Sequence, residues 1–182
     1  MSKRPASEAT CVVVMGPSGV GKTTLAERLA GRLGWAFAEG DGFHPPENIA
    51  KMSQSIPLDD ADRAPWLGLI RDWIAQQADD GRDTVITCSA LKRRYRDVLR
   101  EAGGVRVRFV QLAADPELVG ERIGARKGHY MPPSLLASQF ADLEPLQPDE
   151  DGVLVSVAAA PDAVADDALR ALGLNPGSTK GG

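Results

Sequence analysis

The chain has 182 residues, of which 43% are hydrophobic and 25% are charged, the size and balance of one folded domain. Its net charge of −4 at pH 7 excludes a protein whose overall field attracts nucleic acid or an anionic membrane. No apolar run approaches the roughly 20 residues of a membrane-spanning helix, and residues 1–10 lack the apolar centre of a signal peptide. We therefore expect a cytoplasmic protein with no nucleic-acid or membrane partner.

Short apolar runs alternate with stretches of helical periodicity along most of the chain. The apolar runs predict strands at 11–15, 35–39, 84–88, 105–112 and 153–157. The periodic stretches predict helices at 22–33, 59–77, 91–101, 115–126, 133–143 and 161–172. This alternation is typical of an α/β fold with a mostly parallel sheet covered by helices on both faces. We expect one domain over residues 1–174 and a disordered, small and polar tail over residues 175–182.

The segment between the first strand and the first helix carries the most specific motif. It reads Gly-Pro-Ser-Gly-Val-Gly-Lys-Thr and matches G-x-x-x-x-G-K-[ST], the phosphate-binding P-loop. Glycines let backbone N–H groups surround a phosphate, and Lys22 and Thr23 suit the β- and γ-phosphates and Mg²⁺. The alternative is a glycine-rich turn without a ligand. The predicted nucleotide-binding residues here are Gly16, Pro17, Ser18, Gly19, Val20, Gly21, Lys22, Thr23 and Thr24.

A P-loop indicates a nucleotide but not the second substrate. The chain has no Asn/Thr-Lys-x-Asp guanine motif, which argues against a GTPase. Large motor and transporter ATPases need far more chain. A short single domain therefore favours a kinase of small metabolites or nucleotides.

Two carboxylates follow the second predicted strand. Glu39 and Asp41 are two residues apart, so in an extended chain their side chains would point the same way. Ligands of doubly wound sheets bind beyond the carboxyl ends of the strands, which places both groups beside the P-loop. A kinase needs one carboxylate to orient the attacking hydroxyl, and usually another to hold Mg²⁺ or its waters. A solvated turn is the alternative for this pair, and a structural hydrogen bond is the alternative for His44.

Cations in two segments could bind an anionic substrate. Arg63 lies near the start of the predicted helix 59–77, and Lys92 and Arg96 lie four apart in the helix that follows the third strand. A shared helical face with lysine and arginine suits a carboxylate. The alternative is a solvated basic helix end, which we prefer for Arg93 and Arg94.

A second basic segment precedes a stretch rich in turn formers. Arg122 and Arg126 share a helical face, and a mobile arginine can stabilise the charge that phosphoryl transfer spreads over oxygen atoms. Residues 128–133 read Gly-His-Tyr-Met-Pro-Pro, and we expect them to form a mobile flap within a lid at about 126–134 that excludes water. The alternative is a surface helix end whose cations interact with the helix dipole.

Taken in order, these motifs resemble those of the bacterial gluconokinases. The blocks are Gly-x-Ser-Gly-x-Gly-Lys, Glu-Gly-Asp-x-x-His-Pro, Pro-Leu-x-Asp-x-Asp-Arg-x-Pro-Trp-Leu, Cys-Ser-Ala-Leu-Lys-x-x-Tyr-Arg-Asp and Arg-Lys-Gly-His-Tyr. The resemblance covers about residues 11–157. One departure is Glu39, where relatives often have aspartate, although the longer carboxylate can still hold a metal-bound water.

The resemblance implies a P-loop kinase fold similar to shikimate and adenylate kinases, with a five-stranded parallel sheet flanked by helices and a lid. It implies ATP and Mg²⁺ as cofactors, with Thr23 and, through water, Glu39 at the metal. It also implies D-gluconate as the substrate and 6-phospho-D-gluconate and ADP as the products. By weaker analogy between folds, Arg122 contacts adenine and Arg126 phosphate. Relatives of this kind are often dimers, so we expect a homodimer.

The resemblance also implies roles for individual residues. The implied catalytic residues are Lys22, Asp41, which faces the 6-hydroxyl, and Arg126. The implied substrate-binding residues are Asp41, His44, Arg63, Lys92, Arg96 and His129.

Two other functions remain open. A shikimate kinase, or another small-metabolite kinase, would need a glycine pair at the end of the third strand, where residues 89–92 read Ser-Ala-Leu-Lys. A non-catalytic nucleotide-binding regulator is the alternative from another class. The paired carboxylates and the lid cations argue against it.

Overall fold

A five-stranded parallel sheet forms the centre of the fold. The computed structural model of the chain describes residues 9–17, 19–113 and 133–175. The strands are β1 (Ala9–Met15), β2 (Ala36–Glu39), β3 (Thr84–Thr87), β4 (Val105–Ala113) and β5 (Gly152–Ser156). Their order across the sheet is β2-β3-β1-β4-β5, and every neighbouring pair is parallel. The predicted five-stranded parallel sheet is therefore confirmed.

Helices connect these strands, and most of them lie where periodicity predicts them. The described helices are α1 (Lys22–Leu33), α2 (Pro46–Ser53), α3 (Asp60–Asp79), α4 (Arg93–Arg100), α5 (Pro133–Asp142) and α6 (Pro161–Leu172), with a 3-10 turn at Gly40–Phe43. The 3-10 turn and α2 were not predicted, and the helix predicted at 115–126 lies outside the described residues. None of the helices described here has the length and apolar character that crossing a membrane requires.

The central strand β1 supplies both sides of the core. Its residues from Cys11 to Met15 are all buried, which explains why the strand is an uninterrupted apolar run. Because successive side chains of a strand point to opposite faces, Val12 and Val14 pack on one side of the sheet. The side chains of Cys11, Val13 and Met15 pack on the other.

Each face of the sheet is covered by a pair of helices. On the face of Val12, α1 contributes buried leucines such as Leu25, and α6 contributes Leu169. On the opposite face, α3 contributes Trp66 and Ile70, and α4 contributes Leu99. Complete burial of one such side chain stabilises the fold by about 1.5–3 kcal/mol. The helices leave the carboxyl edge of the sheet uncovered, where the loops with the motifs described above begin.

Helix α3 begins with a reciprocal pair of caps. The Asp59 carboxylate accepts a 2.8 Å hydrogen bond from the N–H of Asp62, whose own carboxylate accepts a 3.0 Å bond from the N–H of Asp59. Such a capping box satisfies donors that a helix N-terminus otherwise leaves unpaired. It fixes where α3 starts and therefore where Arg63, one residue later, projects.

Candidate active site

The P-loop bends tightly between β1 and α1. Gly16, Gly19 and Gly21 have φ angles of +144°, +85° and +102°, a region that residues with side chains rarely adopt. Gly21 is also the N-cap of α1 and has no side chain to bond the first N–H groups of the helix. Those groups and the positive end of the helix dipole are therefore oriented to receive an anion such as phosphate. Ser18 lies outside the described residues.

The Lys22 ammonium group folds back onto the P-loop. Its Nζ donates hydrogen bonds of 2.7 Å to the carbonyl of Gly16 and 3.3 Å to the carbonyl of Pro17. Burial lowers the pKa of Lys22, and the negative charges of Asp41 and Glu39 oppose that effect. Both carboxylates are thus close enough to act on the P-loop lysine, as their place after β2 predicts.

The end of β2 is pressed against the end of β3. A Cβ at Gly40 would lie 2.1 Å from the carbonyl oxygen of Thr87, so only glycine fits. The Gly40 N–H donates to Thr87 Oγ1 at 3.2 Å, and its carbonyl accepts a 2.8 Å bond from Trp66 Nε1. The chain then turns into the 3-10 segment, so the extended geometry expected for Glu39 and Asp41 is wrong. The Asp41 side chain instead projects outward and is 82% exposed.

His44 is a buried neighbour of Asp41. Its ring stacks on Trp66 with a centroid distance of 4.2 Å, and its Nδ1 accepts a 3.2 Å hydrogen bond from the Asn48 amide. Burial lowers the pKa of His44, so the ring is neutral at pH 7. Because Nδ1 accepts, Nε2 carries the proton, and this atom lies 3.8 Å from the Asp41 carboxylate. His44 therefore both makes a structural hydrogen bond with Asn48 and lies beside the Asp41 carboxylate.

Arg63 and Lys92, the cations predicted to bind an anionic substrate, lie around the side chain of Tyr95. Arg63 Nη1 donates a 2.8 Å hydrogen bond to the Tyr95 hydroxyl, which itself donates to Asp60. The Arg63 guanidinium lies 5.2 Å and the Lys92 ammonium 5.9 Å from the centre of the ring. The exposed Arg94 also lies near the ring and pairs with Asp60. The tyrosine stood in the Ser-Ala-Leu-Lys block, but sequence reasoning gave it no role.

Arg96 requires a correction. Its side chain has no exposed surface and forms a two-pronged ion pair, at 2.7 and 3.0 Å, with the equally buried Glu150. Lys92 and Arg96 do not share a helical face, because Lys92 is the extended N-cap residue before α4. Contact between Arg96 and a substrate is therefore excluded in this geometry. Arg63 and Lys92, of the cations predicted to bind substrate in the described residues, are partly exposed.

The expected solvated role of Arg93 holds only in part. Arg93 is half-exposed and pairs with Asp149, and its N–H donates a 3.0 Å hydrogen bond to Glu144 Oε1. The remaining predicted site residues, Arg122, Arg126 and His129, lie outside the described part of the chain. Most of the predicted lid at 126–134 also lies outside it.

An apolar pocket lies beside the P-loop, and sequence reasoning did not anticipate it. Its volume is about 280 Å³. It lies where the start of α1, the end of β4 and the connection from β5 to α6 meet. The lining residues are Val20, Gly21, Thr24, Leu25, Leu112, Val157, Ala159, Pro161 and Val164. The sequence signal for this pocket is the small, apolar composition of residues 157–161, a stretch whose pattern predicts only a loop.

Thr23 and Glu39 suit magnesium held mainly by water and phosphate. In the part of the chain that the structure describes, no three His, Cys, Asp or Glu side chains form a group that could hold a metal. Thr23 is exposed in the first turn of α1, and Glu39 is half-buried at the end of β2. Mg²⁺ usually keeps several waters and takes only one or two protein ligands besides substrate phosphates. A hydroxyl and one carboxylate therefore fit this ion.

Comparisons with known proteins identify the family of this chain. A family model described as "AAA domain" matches residues 11–146. A gluconokinase from Gluconobacter oxydans (strain 621H) is 50% identical over 159 residues, which are 87% of this chain and 89% of the relative. The chain belongs to the gluconokinase family. The thermosensitive gluconokinase of Escherichia coli (strain K12) is 44% identical over 142 residues, 78% of this chain and 75% of that relative.

Solved structures place the chain among gluconokinases by fold as well. An unliganded sugar kinase from Janibacter sp. HTCC2649 has 49% identity and a TM-score of 0.87, covering 92% of this chain and 96% of that one. A gluconokinase from Sinorhizobium meliloti 1021 has 43% identity and a TM-score of 0.83, covering 91% and 93%. A shikimate kinase from Bacteroides thetaiotaomicron, at 13% identity and a TM-score of 0.62, shares the fold alone. The predicted P-loop kinase fold is therefore confirmed.

Proposed function

We propose that this gluconokinase family member transfers the γ-phosphoryl group of ATP to the 6-hydroxyl of D-gluconate, giving 6-phospho-D-gluconate and ADP. The proposal rests on a series of charged groups that runs from Lys22 in the P-loop, through Asp41, to Arg63 beside Tyr95. Asp41 acts on the pKa of both Lys22 and His44, and Arg63 acts on that of His44. Arg63 in turn bonds Tyr95. A substrate with a hydroxyl at one end and a carboxylate at the other matches this series.

Asp41 is the group that orients the 6-hydroxyl and accepts its proton. Its exposure leaves its oxygens accessible to a substrate, and the Nε2–H of His44 lies at its side. Lys22 is positioned to exchange its bonds to the loop carbonyls for phosphate oxygens. The transfer then needs little beyond alignment and charge stabilisation by Lys22 and, from the predicted lid, Arg126.

Magnesium is part of this proposal. We assign the ion to the Thr23 hydroxyl, within the P-loop, and, through a water, to Glu39, whose negative charge acts on Lys22. When bound, Mg²⁺ neutralises phosphate charge during transfer. The residues of the chain hold the ATP phosphates in line with Asp41.

Arg63 and Lys92 bind the carboxylate end of gluconate in this proposal. Arginine can bind a carboxylate with two parallel hydrogen bonds, which fixes both position and orientation. The Tyr95 hydroxyl, itself bonded to Asp60, holds the Arg63 guanidinium through one N–H, which leaves the other N–H groups for a substrate. His129 is the expected contribution of the lid.

The nucleoside end of ATP suits the apolar pocket beside the P-loop. The pocket combines aliphatic walls with the backbone of Gly21, a setting that favours a flat and weakly polar ring. Arg122, which precedes the proposed lid, is the proposed contact to the base. We also propose a lid at about 126–134 and a homodimer, which the resemblance supports, and a cytoplasmic location. The net charge of −4 supports the absence of nucleic-acid partners.

Coupled ADP release with ATP and Mg²⁺ tests the function. Purified protein is offered D-gluconate beside shikimate, glucose and AMP, with no acceptor as the background. We expect turnover with D-gluconate alone. Turnover with shikimate or AMP would move the function to another small-molecule kinase, and no turnover with any acceptor would favour a nucleotide-binding regulator.

A further inference from the structure

The loop between β3 and α4, residues 88–92, touches both halves of the site. The carbonyl of Ser89 accepts a 3.2 Å hydrogen bond from the N–H of Gly16, the first residue of the P-loop. Three residues later, Lys92 reaches over the ring of Tyr95. Phosphate binding and sugar-acid binding thus share this β3–α4 loop, and a shift in it would displace both.

The β3–α4 loop has an unusual backbone at its centre. Ala90 has a φ of +43° and is fully buried. A left-handed conformation is uncommon for a residue with a side chain and persists only where the surroundings hold it. Other contacts must therefore impose the path of the loop.

Arg96 supplies those contacts from beneath the loop. Its Nη1 donates hydrogen bonds of 2.9 Å to the carbonyl of Ala90 and 3.4 Å to that of Leu91. Its Nε and Nη2 bind the two carboxylate oxygens of Glu150. The guanidinium thus connects the loop to a fixed anion through one rigid, planar group.

Glu150 is itself held by the segment that follows α5. Its carboxylate accepts a 2.8 Å bond from the N–H of Gln147 and a further bond from Arg100. In the same segment, the N–H of Glu144 donates a 2.6 Å bond to the carbonyl of Leu91. The β3–α4 loop is thereby clamped between Arg96 and residues 144–150.

We propose that Arg96 and Glu150 are positioning residues for the kinase reaction, holding the β3–α4 loop so that Ser89 supports the P-loop and Lys92 faces the sugar acid. The inference rests on the proposed function, because that function assigns Lys92 to gluconate. Neither side chain reaches a ligand, so the pair acts through the loop. If the ion pair only stabilised the fold, its loss would lower the folded fraction and leave the KM of the folded enzyme unchanged.

The variant Arg96→Lys separates these two roles. Lysine can keep a charge opposite Glu150, but it cannot bind both carboxylate oxygens and the two loop carbonyls together. We expect a KM for D-gluconate at least about 5-fold higher and a kcat about 10-fold lower, with the KM for ATP raised as well because the same loop supports the P-loop through Ser89. Amide hydrogen exchange in peptides spanning residues 88–92 should become faster.

A neighbouring pair provides the matched control. Asp149→Asn removes the exposed partner of Arg93, one residue from Glu150, and should leave the kinetics and the loop exchange unchanged. Should Arg96→Lys not fold, Arg96→Met with Glu150→Met removes both charges at similar volume and allows the same comparison. Unfolding of both variants would assign the pair to fold stability alone and overturn the proposal.

The outcomes distinguish this proposal from the proposed function. An unchanged KM for gluconate in a folded Arg96 variant overturns the positioning role. If the wild-type protein does not turn over gluconate, the proposed function fails. Faster loop exchange in the variant would then still support the clamp, and unchanged exchange would overturn it as well.

Discussion

The protonated Nε2 of His44 lies 3.8 Å from the carboxylate of Asp41, while Nδ1 of the same ring is held by Asn48. The imidazole therefore has one orientation and one tautomer. At 3.8 Å the contact is longer than a direct hydrogen bond, so the neutral ring lies beside the carboxylate and leaves the Asp41 oxygens accessible to a substrate. The 3-10 turn, rather than an extended strand end, brings the two side chains to the same side of the chain.

Asp41→Asn should separate chemistry from nucleotide binding. The amide keeps the size of the side chain but cannot accept a proton, so we expect kcat to fall by about 10²–10⁴-fold. The Kd for ATP should stay within about 3-fold, because the P-loop is unchanged. Steady-state kinetics and equilibrium binding of ATP measure the two effects, and intact turnover would remove Asp41 from the catalytic role.

Tyr95→Phe should weaken binding of the sugar acid specifically. The change removes the hydroxyl that links Arg63 to Asp60 while keeping the ring beneath the cations. We expect the KM for gluconate to rise about 3- to 10-fold, equivalent to roughly 1 kcal/mol and typical of one lost hydrogen bond, with the KM for ATP unchanged. Arg71→Gln, which breaks an exposed ion pair of α3 with Glu101, is the control. Equal effects of both variants on the KM for gluconate would contradict the role given to Tyr95.

The sheet could be predicted from the sequence because its central strands are buried on both faces. Such strands are unbroken apolar runs, as in 11–15, and the P-loop glycines identify the bend that follows. The site was harder to predict, because the direction of a side chain depends on partners that are distant in sequence. Arg96 has the same local pattern as a surface cation, and only Glu150, 54 positions further along the chain, makes it a buried one.

Short and turn-like elements also escaped prediction for a physical reason. Helix α2 spans eight residues and buries only Asn48, so it has no apolar stripe to recognise. The 3-10 turn at Gly40–Phe43 is imposed by the close contact with Thr87, a tertiary contact that local pattern does not reveal. The extended geometry assumed for Glu39 and Asp41 was wrong for that reason.

Glu150 should give the protein a specific sensitivity to acid. Burial raises the pKa of this carboxyl, but hydrogen bonds from Arg96, from the N–H of Gln147 and from Arg100 outweigh it and lower the pKa from 4.5 to about 2. A lowered folded-state pKa stabilises the fold above the unfolded value, and this stabilisation disappears as the pH falls from 4.5 towards 2. Its size is roughly 3 kcal/mol.

Urea unfolding of wild type and Glu150→Gln across pH measures this effect. Glutamine resembles the protonated acid, so the difference in the free energy of unfolding should be roughly 3 kcal/mol at pH 7 and should shrink towards zero near pH 2. Asp149→Asn, at the exposed neighbour, should show a difference within about 0.5 kcal/mol at every pH. A wild-type advantage over Glu150→Gln that does not change with pH would contradict the assignment.

Two glycines of the 3-10 turn provide a matched test of the contact between β2 and β3. A Cβ at position 40 would lie 2.1 Å from the carbonyl oxygen of Thr87, whereas one at position 42 would meet no atom within 4 Å. Because the obstacle at position 40 is backbone, we expect Gly40→Ala to lower the free energy of unfolding by at least about 2 kcal/mol. Gly42→Ala should change it by less than about 0.5 kcal/mol. Denaturant unfolding of the two variants compares them directly, and similar stabilities would show that β2 and β3 do not approach as closely as this packing requires.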